Sequence, residues 1–420
     1  MTTPTSLDGA TVCLVTPGQP STNPRLVKEA DALVEAGAAV HVVACKFQGW
    51  ADDADAAFAD RPWTMHWRQF GAQAPRWQDL YQRVRRRICR EVSRLVGAQP
   101  GLAERAFHYV IPELERTTSR IPADLYIAHN LAALPTARQA ARWQEAKLGF
   151  DAEDFHRGQF ADRSARSLEQ RLTEHLEERH MPHCDYLTAA SDGIGAAYAD
   201  TLSVPVPATI LNVFPWSERD ADVPREELDA ESPDDARSLY WFSQTIGPDR
   251  GLQDALRALP HLSGDVVLSL RGKWAPGYES EFRKQARTLG VHDRVRHLDL
   301  VPPEELIVRT AEHDIGLALE HPVCQNRRIC VTNKLFTYLL AGVPFVATET
   351  PGQLPIVQDL SVAARSYAPG DVDGFAAAAE ALLDAPCARQ AALRAAKERY
   401  SWDVEKKKFL EIVSQTLNER

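Results

Sequence analysis

Short apolar segments alternate with helical segments along this chain, and the alternation starts afresh near its middle. Such a pattern admits few folds, because parallel strands need crossover connections and both faces of their sheet must be covered. The first series has strands at Thr11–Pro17, Val40–Ala44, Asp124–Ala128, Leu148–Phe150, Tyr186–Ala190 and Ala208–Leu211. The second has strands at Leu239–Ser243, Val266–Leu270, Val295–Leu298, Asp314–Leu319 and Phe345–Ala347. The expected fold class is therefore α/β, with two Rossmann-like, doubly wound domains and a ligand cleft between them. Expected boundaries are 1–215 and 216–400, with a terminal helix at 401–420. A Trp- and Arg-rich helical insertion is expected at 47–120, and Ser217–Arg237, rich in Asp, Glu and Pro, reads as a linker.

Thr332–Gln353 (T-N-K-L-F-T-Y-L-L-A-G-V-P-F-V-A-T-E-T-P-G-Q) is the most informative αβ unit. Thr332 or Asn333 is placed to cap a helix whose apolar face is Leu335, Phe336, Leu339 and Leu340. Gly342 stands where a left-handed terminator belongs, and Pro344 prevents continuation. The helix start at Asn333 and Lys334 is a candidate anion site. The polar loop after Phe345–Ala347 lies where open α/β sheets bind ligands, so Thr350 and Gln353 are candidate contacts. Further cations fall at expected strand ends in this half: Arg250, Arg271, Lys273, Arg327 and Arg328. Together with Lys334 they suggest a diphosphate, which binds to cations and backbone N–H groups without needing a metal. In the first half the strand ends carry acids and bases instead: His129, Asp151, Glu153, Asp154 and His156.

Composition excludes several classes. A net charge of −10 argues against general nucleic-acid binding. No apolar run is long enough to span a membrane, and M-T-T-P-T-S-L-D lacks the features of a secretory leader. Seven cysteines without framework spacing fit reduced thiols and a cytoplasmic location. Cys324 and Cys330 have poor zinc spacing, and no metal site is expected. Gly193-Ile194-Gly195 follows a strand, but Tyr198 stands where a dinucleotide fingerprint needs a small residue. Within the insertion, Tyr81, Val84, Ile88, Val92 and Leu95 form one stripe, and Arg83, Arg86, Arg87, Arg90 and Arg94 lie off it. Such a helix either packs its stripe on its own domain or rests on an anionic membrane.

The motifs N-P-R-L-V-K-E-A, Y-I-A-H-N, G-F-D-A-E-D-F-H, L-N-V-F-P, G-P-D-R-G-L, N-K-L-F-T-Y-L-L-A-G-V-P and Y-S-W-D-V-E occur in this order. In that order they resemble the GT-B nucleotide-sugar glycosyltransferases, bacterial family-4-like enzymes in particular. The resemblance implies sugar transfer from a nucleoside-diphosphate-sugar to a saccharide or lipid-linked acceptor, with retention and without a metal or other cofactor. It implies a role in surface polysaccharide or glycoconjugate synthesis, and a C-terminal helix that crosses back to the first domain. By this resemblance His129 is the active-site histidine, with Asp151 and Glu153 beside it. Arg250 takes a diphosphate-binding position, Asn333 and Lys334 lie near the donor phosphates, and the Gly18 loop approaches the diphosphate or acceptor. Two positions depart from the pattern. Thr337 stands where many relatives carry a ribose-binding Glu, and Thr245 where they carry an Arg. Glu320, Arg271, Lys273 and Arg327 are the candidate replacements. Two other readings share the fold: a nucleotide-sugar epimerase and a non-catalytic partner subunit.

Overall fold

The computed structural model describes residues 6–160, 166–220, 236–263 and 265–419, so most of the linker-like Ser217–Arg237 stretch lies outside the described residues. The chain divides into two compact units, residues 1–210 with 406–420, and residues 211–405. In the first unit a seven-stranded sheet has the order β3-β2-β1-β4-β5-β6-β7. Its strands are β1 (Thr11–Val15), β2 (Ala39–Lys46), β3 (Thr64–Gln69), β4 (Leu125–His129), β5 (Lys147–Ala152), β6 (Tyr186–Ala189) and β7 (Ala208–Thr209). The second unit holds a six-stranded sheet of order β10-β9-β8-β11-β12-β13. Here the strands are β8 (Arg237–Ile246), β9 (Val266–Trp274), β10 (Val295–Leu298), β11 (Ile315–Ala318), β12 (Phe345–Thr348) and β13 (Ala364–Tyr367). Every described strand pairing is parallel. In both sheets the order reverses beside the unit's first strand, and ligands bind at such a switch point.

Three local expectations change. The segment 47–120 is not wholly helical, because Thr64–Gln69 adds a parallel edge strand beside β2. Its residues are half-buried and largely polar, so no apolar run announces it. The segment after Gln353 likewise contains an edge strand, β13. Asn333 makes no capping bond through its side chain: at φ −59° and ψ −21° it is already helical, not extended as a capping residue is. Gly342 does end that helix in the left-handed conformation, with φ 72°.

The helix Lys334–Ala341 is held on the sheet by Tyr338. Its hydroxyl donates toward the carbonyls of Tyr240 and Leu317, each at 3.1 Å. Its ring lies over Gly316 of β11, where a Cβ atom would stand 2.3 Å from the ring. The small residue under the aromatic ring thus sets how closely Lys334 approaches the strand ends. Gly316→Ala is expected to cost about 1–3 kcal/mol through overpacking. Urea unfolding of the variant checks this, and an unchanged midpoint would mean that the ring has room to move.

Candidate functional site

In the first unit four charged side chains meet under the carboxyl ends of β4 and β5. Asn23 caps the helix Pro24–Glu35 by accepting from the backbone N–H of Leu26, and that helix turns Arg25 and Glu29 inward. Arg25 grips Asp151 with two guanidinium nitrogens, at 2.6 and 2.7 Å, and its third nitrogen donates to the carbonyl of Ile210 at 2.5 Å. Thr188 donates to Asp151 at 2.7 Å. The His129 ring lies between two acids, with Nε2 3.1 Å from Glu29 and Nδ1 3.6 Å from Asp151. None of the four side chains is more than 2% exposed. Burial alone works against charge on His129, yet Glu29 and Asp151 outweigh it and raise its pKa. Burial likewise opposes charge on Asp151, and Arg25 and His129 reverse it, holding the carboxyl below its ordinary range. With His129 protonated the quartet carries two positive and two negative charges.

Glu29, His129 and Asp151 bring ligand-type atoms within 4.8 Å of one another. They fit a metal poorly, because the guanidinium of Arg25 already occupies both oxygens of Asp151. Glu153 follows two residues later, and burial together with Asp151 raises its pKa. His156 is held down by burial, and its backbone N–H donates to the hydroxyl of Tyr198 at 3.0 Å. Tyr198 in turn donates to the carbonyl of Asp154 and to Glu177, which explains a large residue on that helix. The Gly18 loop is pinned by Gln19, which donates to Asp55 at 2.8 Å and accepts from the backbone of Gln48 at 2.8 Å.

In the second unit the focus is Glu320, two residues past the end of β11, a buried carboxylate at 6% exposure. Lys334 Nζ lies 3.7 Å from it, and guanidinium nitrogens of Arg250 and Arg327 lie 3.8 Å away. These separations are too long for good charge-assisted hydrogen bonds. Lys334 is buried, and its ammonium stands 5.3 Å from the centre of the buried Trp241 ring. Burial lowers its pKa, with Arg250 and Arg327 adding to the effect and Glu320 opposing it. Arg327 also donates to the carbonyl of Asp249 at 2.8 Å, tying its helix to the Gly247–Gly251 loop. That loop presses on the strand end. Gly251, at φ 72°, would place a Cβ 2.9 Å from that of Leu319.

Most of the other expected contacts make bonds of their own. Arg271 and Lys273 are inside β9, which runs on to Trp274 rather than ending at Leu270. Arg271 is buried, donating to the Tyr240 hydroxyl at 2.7 Å and to the carbonyl of Asp299 at 2.6 Å. Lys273 is exposed and pairs in register with Thr245. Neither makes a described contact with Glu320. Gln353 is buried and donates to the carbonyl of Thr348 at 2.9 Å, while Thr350 Oγ1 accepts from the backbone of Gln353. Thr350 thus binds within its own loop, whereas Gln353 also donates to the carbonyl of Ala318 at 3.4 Å and leaves its Oε1 buried without a hydrogen-bond partner. Thr337 is buried, and its hydroxyl donates to the carbonyl of Asn333 at 3.3 Å. Arg25 and Glu29 were missed as site residues. The available signal was an Arg/Glu pair one turn apart beside Leu26, Ala30 and Leu33 on an otherwise apolar face.

Solved structures share this architecture. A HepE structure from Anabaena with UDP and glucose superposes at a TM-score of 0.67, with 16% identity, over 97% of this chain and 100% of that one. The chain has the GT-B fold. A glycosyltransferase from Rickettsia africae gives a TM-score of 0.68 at 12% identity, over 98% and 99% of the two chains. Sucrose-phosphate synthase from Thermosynechococcus elongatus gives 0.67 at 14% identity, over 97% and 98%. No protein-family model and no curated protein matches the sequence.

The buried quartet generates a pH dependence. Because the folded-state pKa of His129 is raised, its contribution is fully present below the unfolded value, near 6.5, and is lost as pH rises through the folded value. Asp151 acts in the opposite sense, and its contribution is lost only in acid. Denaturant unfolding is expected to show stability falling from pH 6 to pH 9, with the fall reduced in His129→Gln. Arg25→Met is expected to cost about 3–5 kcal/mol, since it leaves Asp151 buried without its cation. A cost under about 1 kcal/mol would show that the quartet is dispensable.

Proposed function

We propose that the chain is a metal-independent, retaining glycosyltransferase that takes sugar from a nucleoside-diphosphate-sugar. The second unit binds the donor, and the first binds a saccharide or lipid-linked acceptor in surface polysaccharide or glycoconjugate synthesis. The observation that carries this reading is the loose cation cluster around Glu320. Arg250, Arg327 and Lys334 less one carboxylate leave two positive charges, matching the two negative charges of a sugar-linked diphosphate. All three cations sit 3.7–3.8 Å from the carboxylate and can re-aim at an anion of better geometry. As the glycosidic bond to the sugar breaks, the leaving diphosphate gains charge, and a preorganised cationic pocket stabilises that change.

On this reading a leaving-group oxygen takes the proton of the acceptor hydroxyl, and the sugar is delivered to the face the diphosphate has left. Glu153, whose burial raises its pKa, accepts from an acceptor hydroxyl. His129 and Asp151 act as positioning residues, since both are enclosed by Arg25 and Glu29. UDP-glucose is the donor bound in one HepE structure, which supports a uridine or similar diphosphate here. Isothermal titration with UDP, GDP and ADP is expected to find one that binds. Lys334→Ala is expected to weaken that binding about 10- to 100-fold, the worth of a charge-assisted contact. Binding of none of the three rules out a donor site.

The proposal extends to a cytoplasmic enzyme held peripherally at the membrane by the helix Arg76–Val96. That helix is inverted relative to a usual surface helix. Gln82 and Ser93 are buried, Arg85 pairs with Glu113 at 2.8 Å, and Arg90 pairs with Glu169. Its apolar stripe faces out instead, with Trp77 73%, Ile88 58% and Leu95 86% exposed. Arg76, Arg83, Arg87 and Arg94 flank the stripe on the surface, suiting an anionic leaflet. No described helix is long and apolar enough to cross a membrane. Flotation on vesicles of anionic phospholipid is expected, and Ile88→Glu with Leu95→Glu should abolish it. Equal flotation of the double variant would contradict this contact.

A further inference from the structure

A second cationic feature lies in the first unit and has no part in the donor reading. The helix Leu134–Gln144 turns Pro135, Arg138, Gln139 and Arg142 along one side of a groove of about 650 Å³. The opposite walls come from the helices Leu102–Phe107 and Ile111–Thr118 and from the end of Leu168–His180. Most of its charge lies toward the amino ends of the strands, since Arg120 precedes β4 and Arg142 precedes β5. It is thus set apart from His129 and Asp151, which stand at the carboxyl ends.

Six arginines line this groove: Arg105, Arg116, Arg120, Arg138, Arg142 and Arg179. On a chain of net charge −10, such a concentration stands against the overall balance. Arg179 lies 3.4 Å from Glu104, and Arg138 donates to the carbonyl of Arg179 at 2.9 Å. Among the described residues Arg116, Arg120 and Arg142 are paired with no carboxylate, and all three are exposed. The accumulated charge is felt nearby: burial and then Arg138, Arg142 and Arg179 lower the pKa of His183.

Two further features narrow the ligand. Trp143, 64% exposed, lines the groove beside Arg142 and offers a flat apolar platform. Glu104 and Glu115 also line it, and Glu104 Oε2 is buried without a hydrogen-bond partner. Guanidinium forks bind carboxylate or phosphate substituents, an indole face covers the C–H face of a sugar ring, and carboxylates accept from hydroxyls. A bare phosphate would use only the first of these and would be repelled by the two acids. A lipid headgroup has no need of a walled groove.

We propose that this groove binds an acidic saccharide, a chain bearing carboxylate or phosphate groups along with free hydroxyls. The inference is independent of the donor site, because every residue it uses belongs to the first unit. Its test uses the full chain and hexagalacturonate as probe, with maltohexaose, inorganic pyrophosphate and anionic phospholipid vesicles as comparisons. Isothermal titration is expected to show hexagalacturonate binding that weakens about tenfold or more in Arg116→Gln/Arg120→Gln/Arg142→Gln, a loss of ~1.4 kcal/mol or more. Trp143→Ala is expected to weaken it severalfold, and maltohexaose is expected not to bind. Melting temperature and nucleotide binding of both variants should match the parent, because the altered side chains are exposed. Hexagalacturonate binding unchanged by the triple substitution overturns the proposal. So does pyrophosphate binding of equal strength that is lost in the triple variant yet ignores Trp143→Ala, which marks a simple anion site in the groove. Vesicle binding lost in the triple variant, without uronate binding, overturns it in favour of lipid.

Discussion

A carboxylate taken out of water needs cations to stay charged, and each unit of this chain is built around one such carboxylate at a parallel strand's carboxyl end. In the first unit it is Asp151 and in the second Glu320. The same topology places both, because helix starts and strand ends converge at the switch point of a doubly wound sheet. What differs is how tightly each is held. Asp151 is gripped by a bidentate guanidinium at 2.6 and 2.7 Å, with Thr188 filling a further lone pair. Glu320 is surrounded by three cations at 3.7–3.8 Å, none in good hydrogen-bonding geometry.

One carboxylate is thus held in short hydrogen bonds, and the cations of the other stand off from it. The Asp151 quartet joins β4, β5 and the helix Pro24–Glu35 through short contacts of opposite charge. The Glu320 cluster has spare positive charge and unsatisfied geometry. Supporting parts hold the cations in place. Trp241 lies close to Lys334, the Asp249 carbonyl anchors Arg327, and Gly251 lets the Arg250 loop approach the strand. Tyr338 over Gly316 fixes the helix that carries Lys334. On the proposed reading, rigid supports around loosely paired charges are what electrostatic preorganisation needs.

The fold was legible in the sequence because buried parallel strands read as short apolar runs between breakers, and the restart near Leu239 divided them into two sheets. The edge strands Thr64–Gln69 and Ala364–Tyr367 escaped, since half-buried edges need no continuous apolar run. Lys334, Arg250, Arg327 and Glu320 could be named because each sits at a breaker after a strand or at a helix start. Arg271 and Lys273 were expected at a strand end, but β9 continues past Leu270 and carries both into the sheet. Thr350 and Gln353 looked like ligand contacts; Thr350 Oγ1 accepts from the backbone N–H of Gln353, and Gln353 Nε2 donates to the carbonyl of Thr348. Arg25 and Glu29 were overlooked because charged residues at helical spacing read as a solvated face until their partners are seen. The outward stripe of Arg76–Val96 was also beyond sequence, as periodicity locates a stripe without saying which way it faces.

The Glu320 cluster is proposed to receive the donor diphosphate. A crystal structure with the bound nucleoside diphosphate tests it most directly. Diphosphate oxygens are expected within about 3 Å of Lys334 Nζ and of the Arg250 and Arg327 guanidiniums. Nucleotide found elsewhere, with all three cations still gathered around Glu320, would contradict it.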